Sequence, residues 1–386
     1  MNVVAVRAEE VVDELCANVF SALSRSDQRR RGQEYVLGLL STTGRRSIRN
    51  MATGIGGAAA AQRLHHFVHG STWDWMAVRN LLVRYLRERV RPLAWVVSPL
   101  SIPKAGDHSV GVSTTSSSQR AFGLWMVTED FAVPVNWRLF LSPEWTDDRS
   151  RRGKAGIPPG LGNETSGQCA ANVVLEAVRA WGTLGAPVIF DNAEAEIDLP
   201  GSGLATAEFP YLLRVPRSAR FSVADPSLPG YGSGTLPAQR LLDSVRGLRR
   251  AVGWTDPLTG ESSTTQSAAV RVGSLHERRG TYSPGSTGRP LRLLGEWADP
   301  QRPPAHMWLT NAPTPPVETL LRSTKLAGRA SGDARAVGDE VGMRDFEGRS
   351  FPGWHRHITL VSIAHAARVL SRDRAGEPDQ VPPLPV

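Results

Sequence analysis

Lysine is nearly missing from this chain of 386 residues, although the chain is strongly basic: Lys104, Lys154 and Lys325 are the only lysines among 45 lysine and arginine residues. Cysteine is almost as scarce. Cys16 and Cys169 alone make neither a disulfide framework nor a cysteine zinc site, which points to a reducing cytoplasm. No apolar run reaches the roughly 18 residues a membrane span needs. Glu9, Glu10, Asp13 and Glu14 give the first residues the wrong composition for a secretory leader. Familiar catalytic signatures are missing too. Ser98 and His108 lie ten positions apart, but no Gly-x-Ser-x-Gly elbow supports a hydrolase. The glycines at 54, 56 and 57 are not followed by Gly-Lys-Ser/Thr, which excludes a phosphate loop there. His65 and His69 are spaced i,i+4 without the Glu of a His-Glu zinc helix, so packing or phosphate contact is expected of them.

What is present is a net charge of +8, a pI near 10.1, 40% hydrophobic residues and 11 tryptophans. That is enough apolar material for roughly two or three domains with real cores. A basic chain without a lipidation motif most often meets nucleic acid. Arginine suits bidentate phosphate contact, but a GC-rich coding bias produces the same excess, so the arginine bias alone decides nothing.

Residues 1–91 read as helical. Val12, Leu15, Val19 and Leu23 recur at helical spacing, and Asp74 precedes another helix reaching about Arg89. From residue 93 the period changes. Ala94, Trp95, Val96 and Val97 form a short buried strand that Pro99 is expected to end. Residues 121–127 and 131–141 read as a hairpin around Glu129 and Asp130, and residues 168–184 as an amphipathic helix. Residues 187–190 and 211–215 are further strands. The resulting β-β-β-α-β-β order predicts a mixed sheet with helices packed on it. Residues 225–234 and 255–265 read as loops, residues 291–294 and 307–309 as short strands, and residues 320–370 as helix interrupted at Gly342 and at 351–353. The proline-rich end beyond residue 375 is expected to fray.

One stretch carries more than secondary structure. Around the first strand stand Trp95, then Pro103, Lys104, Gly106, Ser109, Val110, Gly111 and Val112. Further on come Trp145 and Asp147, then Arg151-Arg152-Gly153-Lys154-Ala155-Gly156-Ile157-Pro158. Near the end are Gly342-Met343-Arg344-Asp345-Phe346-Glu347-Gly348-Arg349-Ser350 and Gly353-Trp354-His355-Arg356-His357. With Tyr35-Val36-Leu37-Gly38-Leu39-Leu40-Ser41, Arg45-Arg46, Leu64-His65-His66-Phe67-Val68 and Trp73-Asp74-Trp75, this frame resembles the DDE insertion-sequence transposases. The resemblance runs from about Gln33 to Leu370 and is weakest over residues 230–290.

The resemblance implies an α/β fold: an RNase-H-like core of mixed sheet and flanking helices, with an N-terminal helical domain and an inserted β-rich region. The implied domains are residues 1–91 (helical, DNA-binding), 92–216 (first part of the core), 217–315 (β-rich insertion), 316–372 (helices completing the core) and 373–386 (a disordered tail). It also implies cleavage of DNA by two divalent metal ions about 3.5–4 Å apart, held by three carboxylates. Here the chain departs from the pattern it resembles. The first aspartate falls on Ser98, the second on Asp191, and the glutamate on Ser331. The family's tyrosine, glutamate and lysine on the last helix fall on Ala334, Ala336 and Gly338. Asp107 is too far along its loop to replace the first aspartate. Asp333, two positions from Ser331, points about 200° away on a helix. Glu194, Glu196 and Asp198 follow Asp191 and could hold a stray cation.

The expected partner is double-stranded DNA, at terminal inverted repeats or a promoter, bound through Arg45, Arg46, Lys104, Arg151, Arg152, Lys154, Arg349, His355 and His357, by a possible homodimer associated with the nucleoid. No cofactor is expected, and Mg²⁺ or Mn²⁺ would serve only if activity remains. Three readings follow: a degenerate transposase that binds DNA without cutting, as relic or regulator; an active enzyme with displaced ligands, dependent on Asp191; and a core recruited to a non-DNA enzymatic or protein-interaction role.

Overall fold

A computed structural model describes residues 3–192, 203–228, 230–232, 234–273 and 291–375. The chain forms two compact units. One is assembled from Met1–Pro92, Pro99–Thr165 and Ala330–Val386, and the other from Leu93–Ser98 and Ser166–Arg329.

In the first unit, helices α1 (Val3–Val19), α2 (Ser26–Ser41), α3 (Ile48–Thr53), α4 (Gly57–His65) and α5 (Trp75–Arg87) follow one another. Amphipathic spacing explains them. Val11, Val12, Leu15 and Val19 of α1 are all buried, and Asp74 caps α5 by accepting from the Met76 amide at 2.8 Å. The helix they surround comes from the far end of the chain. In α11 (Phe351–Ala375) almost every residue from Trp354 to Leu370 is buried, as expected of a helix covered on all sides. It packs against α1, α2, α5 and a strand of the same unit's hairpin. That hairpin joins β3 (Ser118–Val127) to β4 (Ala132–Leu139) through the expected turn at Glu129 and Asp130. β2 (Val112–Ser113) pairs with β3. The Trp137 indole donates to Ser362 Oγ of α11 at 3.0 Å, and Trp125 meets His365 edge to face at 5.4 Å. The short helices α6 (Pro143–Thr146) and α7 (Arg149–Ala155) follow β4.

The second unit is built on a mixed sheet. β1 (Ala94–Pro103) pairs in parallel with β5 (Val188–Phe190), and β5 in parallel with β6 (Tyr211–Arg214). The path continues antiparallel through β12 (His306–Thr310), β11 (Leu291–Trp297), β10 (Ser262–Val272) and β9 (Arg250–Thr255). β7 (Arg220–Ser222) and β8 (Thr235–Pro237) form a small separate sheet. Three helices accompany these strands. Trp181 of α8 (Ser166–Trp181) sits 6.1 Å from Trp95 of β1, α9 (Ala238–Ser244) packs on β10 and β11, and α10 (Val317–Asp333) bonds to β9 through Arg322. This is a mixed α/β architecture with sheet and flanking helices, as an RNase-H-like fold requires.

Three expectations change. β1 does not stop at Pro99. It runs to Pro103, because β5 ends at Phe190, opposite Val97, and no ladder bond on that side is asked of Pro99. Of residues 255–265 only 256–261 are a turn, where Asp256 Oδ1 accepts from the Leu258 amide at 2.8 Å, while Thr255 and residues 262–265 belong to the paired strands β9 and β10. The strand residues are mostly polar at this end, so alternation does not reveal them. Phe351–Gly353 open α11 rather than interrupt a helix. Glu194, Glu196, Asp198 and the proline-rich tail lie outside the described residues.

Candidate functional site

Parallel pairing aligns the strand ends of the second unit. Val97 stands opposite Phe190, and Phe190 opposite Leu213, so Ser98, Asp191 and Arg214 follow in a row where β5 and β6 finish and the parallel pairing of β1 ends. The carboxyl ends of such strands are where α/β sheets place ligands. Asp191 therefore occupies the position expected of a catalytic carboxylate, with a neutral hydroxyl on one side and a guanidinium on the other.

The Asp191 carboxylate is engaged. Arg214 Nη1 donates to Asp191 Oδ1 at 2.7 Å, and both side chains are about 30% exposed. The other terminal nitrogen of Arg214 lies 2.7 Å from His306 Nδ1. Arginine carries only donors, so this imidazole nitrogen accepts and the ring is neutral. Burial, and after it the Arg214 charge, hold His306 below its ordinary value, in keeping with that role. On the next strand Glu296 stands opposite His306. Lys325 of α10 donates to Glu296 Oε1, and its ammonium lies 4.3 Å above the Trp254 ring. The cluster holds two carboxylates, one arginine, one lysine and a neutral histidine, and is charge-balanced without an added cation.

Ser331, on which the resemblance places the third carboxylate, belongs to the other unit. Ser331 is half-buried in the last turn of α10, and its carbonyl accepts from Arg335 Nε at 3.2 Å. Its neighbour Asp333 is 3% exposed and accepts the Ala132 amide at 2.6 Å, so it ties the helix to the hairpin. Among the described residues, Asp191 is the only carboxylate in the row of Ser98, Asp191 and Arg214, and a carboxylate paired with arginine and flanked by serine does not fit a pair of hard divalent cations that want several anionic oxygens. Among the described residues no group of three or more His, Cys, Asp or Glu stands together as a metal-holding set.

The basic residues of the first unit divide into two groups. Arg45, Lys154 and Arg349 are exposed. Arg45 pairs with Glu347 at 3.0 Å, and the Arg46 amide donates to Asp345 at 2.8 Å. Arg151 lies 4.0 Å over the Trp145 ring and reaches the Asp107 carbonyl at 2.8 Å. Asp148 caps α7 by accepting the Ser150 and Arg151 amides, and these bonds hold its carboxyl below the usual range. Gly156 ends α7 at φ +66°, and a Cβ there would meet Pro352 at 3.4 Å, so the end of α7 adjoins the first turn of α11. The second group is turned inward. Lys104 donates to the Phe346 carbonyl, and burial, then Arg45, hold its ammonium below the ordinary value. Arg152 donates to the carbonyls of Pro158, Pro159 and Leu161 at 2.6–2.7 Å. His355 and His357 are interior groups rather than phosphate contacts, because α11 is enclosed on all sides. His355 stacks on Trp75 at 5.0 Å, and His357 Nδ1 lies 2.9 Å from the Tyr35 hydroxyl.

Residue-by-residue reasoning missed Arg214 and His306. A signal existed for the first: Tyr-Leu-Leu-Arg-Val is an apolar strand with a cation one position before its end. His306 has none, because it reaches Arg214 only through the antiparallel pairing of β6 and β12.

A family model described as DDE superfamily endonuclease matches residues 18–277, more than half of the chain. No curated protein matches it.

Proposed function

The chain belongs to the DDE superfamily of endonucleases, a transposase-type nuclease family, and on that basis we propose that it binds double-stranded DNA and does not cleave it. The observation that carries the second half is the Asp191–Arg214 ion pair beside Ser98. A two-metal cut needs carboxylates free to hold the ions that clamp the attacking and leaving oxygens. Ser98 and Ser331 supply no charge, and Asp191 is committed to a cation of the protein's own. Support for DNA binding comes from the net charge of +8 and from the exposed Arg45, Lys154 and Arg349, with Arg46 and Arg151 beside them.

The test is fluorescence anisotropy of the protein on duplex DNA flanking its own gene, titrated with salt against random competitor. The expected result is preferential binding whose logarithm falls linearly with the logarithm of salt, by about 0.9 per phosphate neutralised. Lys154→Ala should lower that slope by about 1 with little change in sequence preference. An absence of binding at low salt would move the weight to a non-DNA role for the core.

A further inference from the structure

A cavity of about 550 Å³ opens in the first unit, whereas the strand ends that carry Asp191 belong to the second. It lies within the size range of pockets that hold small organic ligands, roughly 300–1,000 Å³. Its walls come from α2, the segment entering α3, the turn after α4 and the loop before α11.

The lining sorts into two chemistries. One part offers ring faces. Phe346 lies 5.7 Å from the His69 ring and 5.4 Å from the His357 ring, and His65 stacks 4.5 Å from His69 with its own outer face exposed. His357 gives its Nε2 proton to the Gly342 carbonyl at 3.2 Å and takes the Tyr35 hydroxyl proton at Nδ1. Burial holds both His69 and His357 near pKa 4, so they are neutral at pH 7. The other part is cationic. Arg49 and Arg349 line the cavity, are exposed, and pair with no acid among the described residues. Arg46 keeps its main chain on Asp345 and one terminal nitrogen on the Gly44 carbonyl, while its buried Nε finds no partner among the described residues. The two acids of the lining are occupied, Glu347 by Arg45 and Asp345 by the Arg46 amide.

Aromatic and imidazole faces within a guanidinium rim match one ligand chemistry well: a planar base attached to a phosphate. Bases stack on any π-face regardless of sequence, and guanidinium groups bind phosphate oxygens bidentately. We propose that this cavity receives one nucleotide, its base against His65 and His69, which Phe346 backs from the interior, and its phosphate on Arg49 and Arg349. The inference rests on the DNA-binding reading for its source, a nucleotide left unpaired at the end of a DNA strand rather than a free one. It assigns the cavity no chemistry, only capture.

The experiment uses the full chain. Anisotropy compares a blunt duplex with the same duplex carrying one unpaired terminal nucleotide, and a separate titration follows free dAMP by calorimetry. Two variants accompany the parent. Ile48→Trp fills the cavity without changing charge, and His65→Ala removes an exposed ring face. The expected result is about tenfold tighter binding of the unpaired end by the parent, in line with one stacked base. Both variants should lose that preference while binding the blunt duplex within about twofold of the parent. Equal affinity of the parent for both duplexes overturns the proposal, as does a preference that survives in both variants. Should the parent bind no DNA, the DNA reading has failed, and the dAMP arm decides the cavity alone: binding that Ile48→Trp abolishes supports a nucleotide pocket, and no binding overturns it. Circular dichroism melts of the variants separate pocket loss from misfolding.

Discussion

On the reading proposed above, two residues decide what becomes of the family's chemistry in this chain. Ser98 removes a negative charge from the first strand end, and Arg214 supplies a positive one beside the charge that remains. The order of effects is clear from charge alone: a hydroxyl is a poor ligand for Mg²⁺, and a guanidinium at 2.7 Å competes directly for the carboxylate that is left. Restoring either side alone should therefore do little. Ser98→Asp combined with Arg214→Ala is expected to create Mn²⁺ binding, measured by calorimetry, where the parent and Ser98→Asp alone show none. Binding by the parent would mean that Asp191 is free in solution. The placing of Ser98 and Ser331 at carboxylate positions is a reading of the sequence, drawn from the frame of tryptophans, glycines and prolines that the resemblance rests on. The Asp191–Arg214–His306 chain is not, since strand register makes those contacts and register is a property of pairing across sequence.

At the scale of elements the last helix carries the most weight. α11 was recognisable from its motif, but its place was not. A helix whose residues are apolar or aromatic nearly all round has no amphipathic stripe to say which neighbour it meets. Its enclosure has a consequence for pH. His355, His357 and His365 all lie on it, fully buried, and burial pushes each below the ordinary histidine value, to about 4 for His357 and about 3 for His365. A folded-state value below the unfolded one means that the unfolded chain binds more protons in that interval. The stability from keeping these rings neutral is complete above about pH 6.5, and it is lost as pH falls towards 4 and 3. Thermal melts should show a midpoint that drops steadily from pH 7 to pH 4. His365→Leu should flatten the stability-against-pH slope by about 1.4 kcal/mol per pH unit between pH 4 and 6, the contribution of one proton. An unchanged slope would show that the His365 ring is already charged or hydrated in the folded protein. The same helix supplies a packing test. Trp354 is 1% exposed and its indole donates to Gln119 Oε1 at 3.1 Å, so Trp354→Ala should cost about 3–5 kcal/mol in denaturant unfolding. A loss under about 1 kcal/mol would place that ring at a surface.

For the molecule as a whole, composition and pattern reached further than residue roles did. Basicity pointed to nucleic acid, and the change from helical to strand spacing at residue 93 located the sheet, because both signals are local and additive. The polar hairpin of β9 and β10 and the run of β1 through Pro99 escaped, since each depends on what a strand is paired with and not on its own residues. Basic groups divide in the same way: charge counts them all alike, while the fold directs Lys104 and Arg152 to backbone carbonyls and leaves Lys154 and Arg349 outside. No described helix is long and apolar enough to cross a membrane. The account that results is a DDE-superfamily chain that keeps its fold and basic surface but commits its last catalytic-position carboxylate to an internal ion pair. Its most direct test is nicking of supercoiled plasmid by the purified protein with Mg²⁺ and then Mn²⁺, alongside Asp191→Ala. The account predicts that the plasmid stays supercoiled with either metal and that the two proteins are indistinguishable. Metal-dependent nicking by the parent that disappears in Asp191→Ala would contradict it.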